Sequence, residues 1–310
     1  MFKHVLQSQN TRARAYIGMS LSTFIIGLSF VFVKMALQVS DPLDVLAHRF
    51  NAAVVVLLVA WLMGWVERPK VTGRQLLQLL SVSVFYPLLF FGLQALGLQY
   101  TTASEAGILS AITPVMTLLL ASAILHERNT VGQVVGVVVS IAGTCYIFYK
   151  SGASLQGDSM KGNLLILLSV LSIVLYYIFG RKVNHRYRSM DITFVMLILA
   201  AVVFNAFALG RHIVEGTLTD YVTPLCNVHF LGAVLYLGVL SSLVTSLFNN
   251  YALSHIPASQ VAVINNLTPV ISVVGGIVIL GEELHAYHFI GAAMVILGVL
   301  ATTLFQRKHG

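Results

Sequence analysis

The chain has 310 residues, 57% hydrophobic and only 9% charged, with a mean hydropathy of +0.87 and a formal net charge of +7. Soluble domains carry about 25% charged residues, so this composition excludes an ordinary soluble protein and describes a membrane chain. The sequence holds no GxxxxGK[ST] phosphate loop, no Cys/His metal spacing and no basic stripe with interleaved aromatics, so no cofactor, metal or nucleic-acid partner is expected.

A bilayer core about 30 Å thick needs roughly 20 apolar residues per helix. Polar and Gly/Pro punctuation divides the chain into segments of that length. A polar tail, 1–14, carries Lys3, Arg12 and Arg14. The apolar stretch 15–37 is too long for a signal-peptide core and lacks a small-x-small cleavage site, so it predicts a retained membrane helix. Four more follow at 43–64, 76–97, 103–123 and 131–149. The polar stretch 150–162 is the connecting loop between two halves. Helices at 163–180, 191–209, 229–251, 259–280 and 286–305 complete the set, before a tail at 306–310.

With the N-terminus cytoplasmic, the inner segments hold Lys3, Arg12, Arg14, Arg68, Lys70, Arg74, Arg128, Arg181, Lys182, Arg186, Arg188, Arg307 and Lys308. The outer segments hold Lys150, Lys161 and Arg211; Lys34 and Arg49 fall inside helices. This follows the positive-inside rule and predicts both termini in the cytoplasm.

The two halves repeat each other. Residues 103–143 match 258–298 at a constant offset of 155: Ala103-Ser104 on Ala258-Ser259, Thr113-Pro114-Val115 on Thr268-Pro269-Val270, Glu127 on Glu282, and Gly136 and Gly143 on Gly291 and Gly298. Five helices per half is an odd number, so the second copy enters the membrane upside down. The expected fold is an all-α integral membrane protein of ten transmembrane helices in two inverted five-helix repeats. That architecture commonly serves alternating access.

The duplicated Ala-Ser…Thr-Pro-Val…Glu blocks, the glycines spaced by seven, and Arg49 after Pro42 resemble the ten-helix EamA-type transporters of the drug/metabolite transporter superfamily. One departure is Ile26-Gly27, where the family often has Trp-Gly in its first helix. The resemblance spans about 15–305, making 15–149 and 163–305 two EamA-like repeats. It implies a secondary transporter in a bacterial inner membrane that exports or exchanges an amino acid or another small metabolite.

Proline removes a helix hydrogen-bond donor, so Pro114 frees the carbonyl of Ser110 and Pro269 that of Asn265. Paired interruptions near mid-membrane point to a transporter's site. The same helices carry matched stripes: Ser110, Thr113, Thr117 and Ala121 against Asn265, Thr268, Ser272 and Gly276. Small residues also serve close helix packing. Asn265 and Asn266 are costly at that depth unless satisfied by a polar cavity or by interhelical bonds. Arg49, Lys34 and Glu105 are intramembrane charges, and such groups pair or mark pathways. Snorkelling is the simpler role for Lys34 and helix-start stabilisation for Glu105. Arg49 is balanced between an ion pair, with Glu105 or Asp44 as partner, and a substrate carboxylate. Gln94 aligns with Asn249, and Tyr86-Pro87, Tyr176 and Tyr177 can supply aromatic walls.

The substrate-binding set is therefore Asn265, Asn266, Ser110, Thr113, Thr268, Arg49, Glu105, Gln94, Asn249, Tyr176 and Tyr177, with Pro114 and Pro269 as helix breaks. Expected partners are a small-molecule substrate and the lipid bilayer; monomer and homodimer both stay open. Cys145 and Cys226 fall near one membrane face, which permits a bridge, although two separate thiols fit better. Two other classes compete. A lipid-modifying intramembrane enzyme would need a clustered acid–base or metal set, whereas the ten histidines are scattered. A non-transporting scaffold or sensor would bind a solute without moving it.

Overall fold

A computed structural model describes residues 2–66, 71–125, 130–154, 158–256, 261 and 264–305. Among them the regular structure is entirely helical. Seven stretches are long and apolar enough to cross a membrane: Ala13–Leu37, Pro42–Leu62, Gln75–Tyr100, Ala103–Leu120, Ser159–Arg186, Ser189–Glu215 and Val228–His255. Three shorter apolar helices, Val131–Ile147, Thr268–Leu280 and Ala286–Ala301, fall on the remaining predicted segments.

The elements are α1 (Phe2–Leu37), α2 (Pro42–Leu62) and α3 (Gly73–Ser83), which runs through a π-helical segment, Val84–Leu89, into α4 (Phe90–Tyr100). Next come α5 (Ala103–Ser110), α6 (Thr113–Leu125), α7 (Val131–Ser154), α8 (Asp158–Arg186), α9 (Ser189–Glu215) and the short α10 (Leu218–Val222). A second π-helical segment, Tyr236–Val244, joins α11 (Val228–Leu235) to α12 (Thr245–His255). A 3-10 turn, Asn265–Leu267, leads into α13 (Thr268–Leu280), and α14 (Ala286–Leu304) follows.

Helices outlast their apolar stretches. The expected tail 1–14 is helical from Phe2, and the expected loop 150–162 contracts because α7 continues to Ser154 and α8 starts at Asp158. Hydropathy reports the bilayer's thickness; a nucleated hydrogen-bond ladder continues through polar residues beyond it. Local caps then stop the helices. Gln75 Oε1 accepts from the Thr72 amide at 2.8 Å, Thr102 Oγ1 from the Glu105 amide at 3.0 Å, and Asn227 Oδ1 from the His229 amide at 2.9 Å. Gly216 and Gly281 close α9 and α13 with φ of 70° and 66°, the left-handed region where a side chain is strained. Glu127 and the tail 306–310 lie outside the described residues.

Helices α7 and α14 reveal how the halves are related. A Cβ on Gly298 would stand 2.4 Å from the Gly136 carbonyl oxygen, and one on Gly143 would stand 2.9 Å from that of Gly291. Between these contacts, Ser140 Oγ donates to the Val295 carbonyl at 3.1 Å. Numbers rise along one helix as they fall along the other, so the two run antiparallel. The 155-residue repeat maps Gly136 onto Gly291 and Gly143 onto Gly298, and Ser140 onto Val295. The swap exchanges the two glycine contacts with each other and carries the Ser140–Val295 contact onto itself, the signature of a two-fold axis passing near Ser140 and Val295. Only hydrogen at these glycines permits that approach. Repeat-related helices that run antiparallel place the second half upside down relative to the first.

Candidate functional site

All four helix interruptions meet at mid-bundle. At the first, α5 ends at Ser110 and α6 begins at Thr113. The Ser110 carbonyl, deprived of a partner by Pro114, accepts from Thr113 Oγ1 at 2.6 Å. At the repeat-related break before Pro269, the Asn265 carbonyl takes the Thr268 amide in a 3-10 turn. The π-helical segments are also repeat mates, since Tyr86-Pro87 falls on Ser241-Ser242. Such bulges recur at functional sites because they turn side chains off the regular ladder. Tyr86 has φ −141° and ψ 118° within its segment, and its peptide bond to Pro87 is cis.

These breaks surround a cavity offering about 50 Å³ to the centres of water-sized spheres, enough for a few waters. Gln94, Ser110, Thr113, Tyr177, Asn249, Asn265 and Thr268 line it, so seven of the predicted binding residues come together there. Tyr86, Phe90, Phe91, Ser241 and Thr245 also line it, and Ile26, Ser29, Phe30, Val170 and Ile173 complete its walls. Asn265 Nδ2 donates to Tyr177 Oη at 3.0 Å, and its Oδ1 accepts from Thr23 Oγ1 at 2.9 Å. Two wall atoms have no protein partner: Asn249 Oδ1 and Thr268 Oγ1 are both fully buried. A buried acceptor left unmade costs about 1–3 kcal/mol. Both residues line the cavity, but these two atoms are closed off from a water-sized sphere in this conformation, so a solute or water reaches them only when neighbouring side chains move.

Arg49 stands behind this wall. It is 1% exposed, and Nε donates to Ser242 Oγ at 2.7 Å while Nη2 donates to Ser241 Oγ at 3.0 Å. Its guanidinium carbon lies 3.9 Å from the centroid of the Phe91 ring. The sequence allowed an ion pair with Glu105 or Asp44; the structure forms neither. Glu105 is bonded to Thr101 and Asn163, and Asp44 to Arg211 and His212 at 2.9 and 3.1 Å. Among the described residues no carboxylate pairs with Arg49. Ser241 and Phe91, which hold it, both face the cavity.

Several predicted residues stand elsewhere. Glu105 sits at the end of the bundle that carries Lys34 and Glu282 and does not line the cavity. Tyr176 lies beneath Tyr86, ring centroids 5.1 Å apart, and donates to Asn250 Oδ1. Sequence position placed it beside Tyr177, but adjacent helical residues point to different faces. The side chain of Asn266 lies outside the described residues. Lys34 does not reach for the surface: Nζ donates to the Leu98 carbonyl at 2.7 Å, a C-terminal helix oxygen that would otherwise lack a partner. Below Thr268 the matched stripe packs rather than lines. Ser272 Oγ donates to the Ala103 carbonyl at 2.7 Å, and a Cβ on Gly107 would meet Ser272 Cβ at 2.4 Å. Cys145 and Cys226 are both free.

At the Lys34 end a polar network couples α2 to α9 and α10. Arg211 pairs with Asp41 and Asp44, each at 2.9 Å, and His48 Nε2 donates to the Tyr221 carbonyl at 2.7 Å, with the two rings stacked at 4.4 Å. Burial pushes the Tyr221 hydroxyl above its ordinary range, so it remains a neutral donor, reaching Asn205 Oδ1 at 2.7 Å. At that end too, Glu282 caps α5 across the two halves. Its carboxylate accepts from the Ala103 amide at 2.7 Å, the Ser104 amide at 2.9 Å and Ser104 Oγ at 2.6 Å.

Sequence reasoning missed Ser241, Thr245, Asn163 and Thr101. The first two had a signal, since polar residues in an apolar segment at the register of Tyr86 mark the same interruption. Asn163 had none, because its role depends on a neighbour 58 residues away.

A helical membrane bundle built from two inverted halves, with broken helices meeting at a cavity of largely apolar walls in which polar side chains are set, is the build of a small-solute transporter. The comparisons agree. The model of the EamA-like transporter family matches residues 13–149 and 160–304, one copy per half, and the chain belongs to that family, within the drug/metabolite transporter superfamily. It is 43% identical over 294 residues to an uncharacterized transporter, YcxC, of Bacillus subtilis strain 168, covering 95% of this chain and 94% of the relative. It is 26% identical over 291 residues to an uncharacterized transporter of Archaeoglobus fulgidus, covering 92% and 97%. A WAT1-related protein of Arabidopsis thaliana is 22% identical over 322 residues, covering 93% of this chain and 83% of the relative. A solved crystal structure superposes with a TM-score of 0.65 at 17% identity over 94% of this chain and 97% of that one, which supports the fold.

Proposed function

We propose that this transporter moves a small polar metabolite bearing a carboxylate, of the amino-acid kind, outward across a bacterial inner membrane by alternating access. The observation that carries the reading is the pairing of unmet needs in one region. Asn249 Oδ1 and Thr268 Oγ1 are buried without hydrogen-bond partners, and Arg49 is a buried cation with no carboxylate beside it among the described residues. An ammonium or amide N–H suits the first, and a carboxylate suits a guanidinium, whose planar fork binds both oxygens. Arg49 becomes reachable when Ser241 and Phe91 shift, which the π-helical segment beneath Ser241 makes easier than a regular helix would. The charge asymmetry supports cytoplasmic termini, and the outward direction follows the family resemblance.

Counterflow into proteoliposomes tests this directly. Liposomes preloaded with single amino acids, purines or sugars are diluted into trace labelled solute. Exchange of at least one amino acid, and none of the sugars, is expected. Exchange of purines or sugars alone would replace the substrate class, and binding without exchange would indicate a sensor instead.

A further inference from the structure

Thr101, Glu105 and Asn163 form a closed triangle of polar contacts at the Glu282 end. Glu105 Oε2 is 2.7 Å from Thr101 Oγ1, Thr101 Oγ1 is 2.8 Å from Asn163 Oδ1, and Asn163 Nδ2 is 2.9 Å from Glu105 Oε1. All three side chains are buried, with exposures of 3%, 2% and 0%. Each contact needs one hydrogen between its heavy atoms. The threonine hydroxyl supplies one, and only one of the two carboxamide atoms carries hydrogen. An ionised Glu105 supplies none, so one contact would set two bare oxygens against each other. Turning the carboxamide over does not help, since its oxygen then faces Glu105 instead of Thr101. A hydrogen on the carboxyl closes the triangle in either orientation.

The surroundings give the same answer. Lys34 on α1 is bonded to the Leu98 carbonyl, and Lys161 on α8 reaches Tyr100 Oη of α4 at 3.2 Å. Glu282 is engaged by the start of α5. His288 on α14 is near enough to interact electrostatically with Glu105, but its Nδ1 accepts from the His285 amide at 3.0 Å rather than meeting the carboxyl. Helix α13 contributes no titratable side chain. No cation touches Glu105 among the described residues, and an unpaired buried carboxylate is costly.

We propose that Glu105 is a proton-binding site, and that a proton held there favours the conformation in which the Glu282 end is closed. The triangle joins α5 of the first half to α8 of the second, so opening that end separates its members. The freed carboxyl then loses its proton to the adjacent water and leaves a solvated carboxylate. The 155-residue repeat matches Glu105 with Gln260, which cannot titrate. A proton therefore biases one closed state over the other, which is what coupling to a proton gradient requires. That coupling rests on the transport reading; occupancy of the site does not.

Infrared titration of the purified full chain in lipid nanodiscs tests occupancy without a substrate. At neutral pH the wild type should show the carbonyl stretch of a protonated carboxylic acid, and Glu105→Gln should lack it. Glu105→Gln keeps one donor and one acceptor, so it retains the triangle. Identical spectra for the two proteins from pH 5 to 9 would overturn the proposal. Should that variant not fold, Thr101→Val must shift the band's frequency, and an unmoved band overturns the proposal equally. Spin labels at Gln99 and Glu283, with Cys145 and Cys226 replaced by Ser, then read the closed state. Its ratio to the open state should rise about fivefold or more as pH falls from 8 to 6, at the low end of site-to-site couplings, and stay constant in Glu105→Gln. A pH-independent wild-type distance would refute the bias. A protein that shows the band but exchanges no solute would sink the transport reading and leave the proton site standing.

Discussion

If the bundle alternates access as proposed, the Glu282 contact with α5 is one that holds an end of it closed, and removing the carboxylate isolates that contact. In Glu282→Ala three hydrogen bonds disappear, to the Ala103 amide, the Ser104 amide and Ser104 Oγ. Bonds to a charged acceptor are worth about 1.5–3 kcal/mol each where water is excluded. Glu282 is half-buried, so water recovers much of that, and about 1–3 kcal/mol in total remains. The loss falls on the closed state, because an opened end has already parted Glu282 from α5. The ratio of open to closed should therefore rise by roughly 5- to 150-fold. Double electron–electron resonance between spin labels at Gln99 and Glu283 reads that ratio as a longer distance. An unchanged distance distribution in a folded Glu282→Ala protein would refute the idea that this carboxylate latches the end. Global unfolding instead would show that the contact supports the fold rather than a state.

Other substitutions separate packing from binding. Gly298→Ala drives a methyl to 2.4 Å from the Gly136 carbonyl oxygen and 2.3 Å from Ser140 Oγ, so thermal stability should fall by about 1–3 kcal/mol; an unchanged melting temperature would contradict the tight α7–α14 crossing. Arg49→Lys keeps the charge but loses the Nε bond to Ser242 and the planar stack on Phe91, so solute affinity should fall tenfold or more, about 1.4 kcal/mol, while charge reversal by another residue would not rescue it. Asn249→Ala removes an acceptor that has no protein partner, so its melting temperature should hold within about 0.5 kcal/mol while exchange weakens; the opposite pattern would make Asn249 a structural residue.

Much of this site was legible because the chain repeats. Gln94 with Asn249, and Ser110-Thr113-Pro114 with Asn265-Thr268-Pro269, were found as matched polar positions on apolar helices, and they converge on one cavity. Periodicity alone would not have separated them from packing residues, and it did not: Ser272 and Gly276, on the same stripe, press against α5. Partners across helices were not legible. Whether Arg49 meets Glu105, Asp44 or two serines depends on lateral packing of α2 against the Tyr236–Val244 segment, where a Cβ on Gly238 would stand 2.4 Å from the Arg49 carbonyl oxygen. The Thr101–Glu105–Asn163 triangle was hidden for the same reason. Helix ends were misjudged wherever polar residues continue the ladder, as at Phe2 and Ser154.

The central claim is that one cavity opens in turn to both faces. A single thiol placed by Ser110→Cys, with Cys145 and Cys226 replaced by Ser, lies on the cavity wall at the first helix break. Membrane-impermeant thiol reagent is applied to right-side-out and inside-out vesicles in parallel. The account predicts modification from both sides, with Glu282→Ala raising the rate from the Glu282 side and lowering it from the other. Modification from one side alone, in wild type and variant alike, would contradict alternating access.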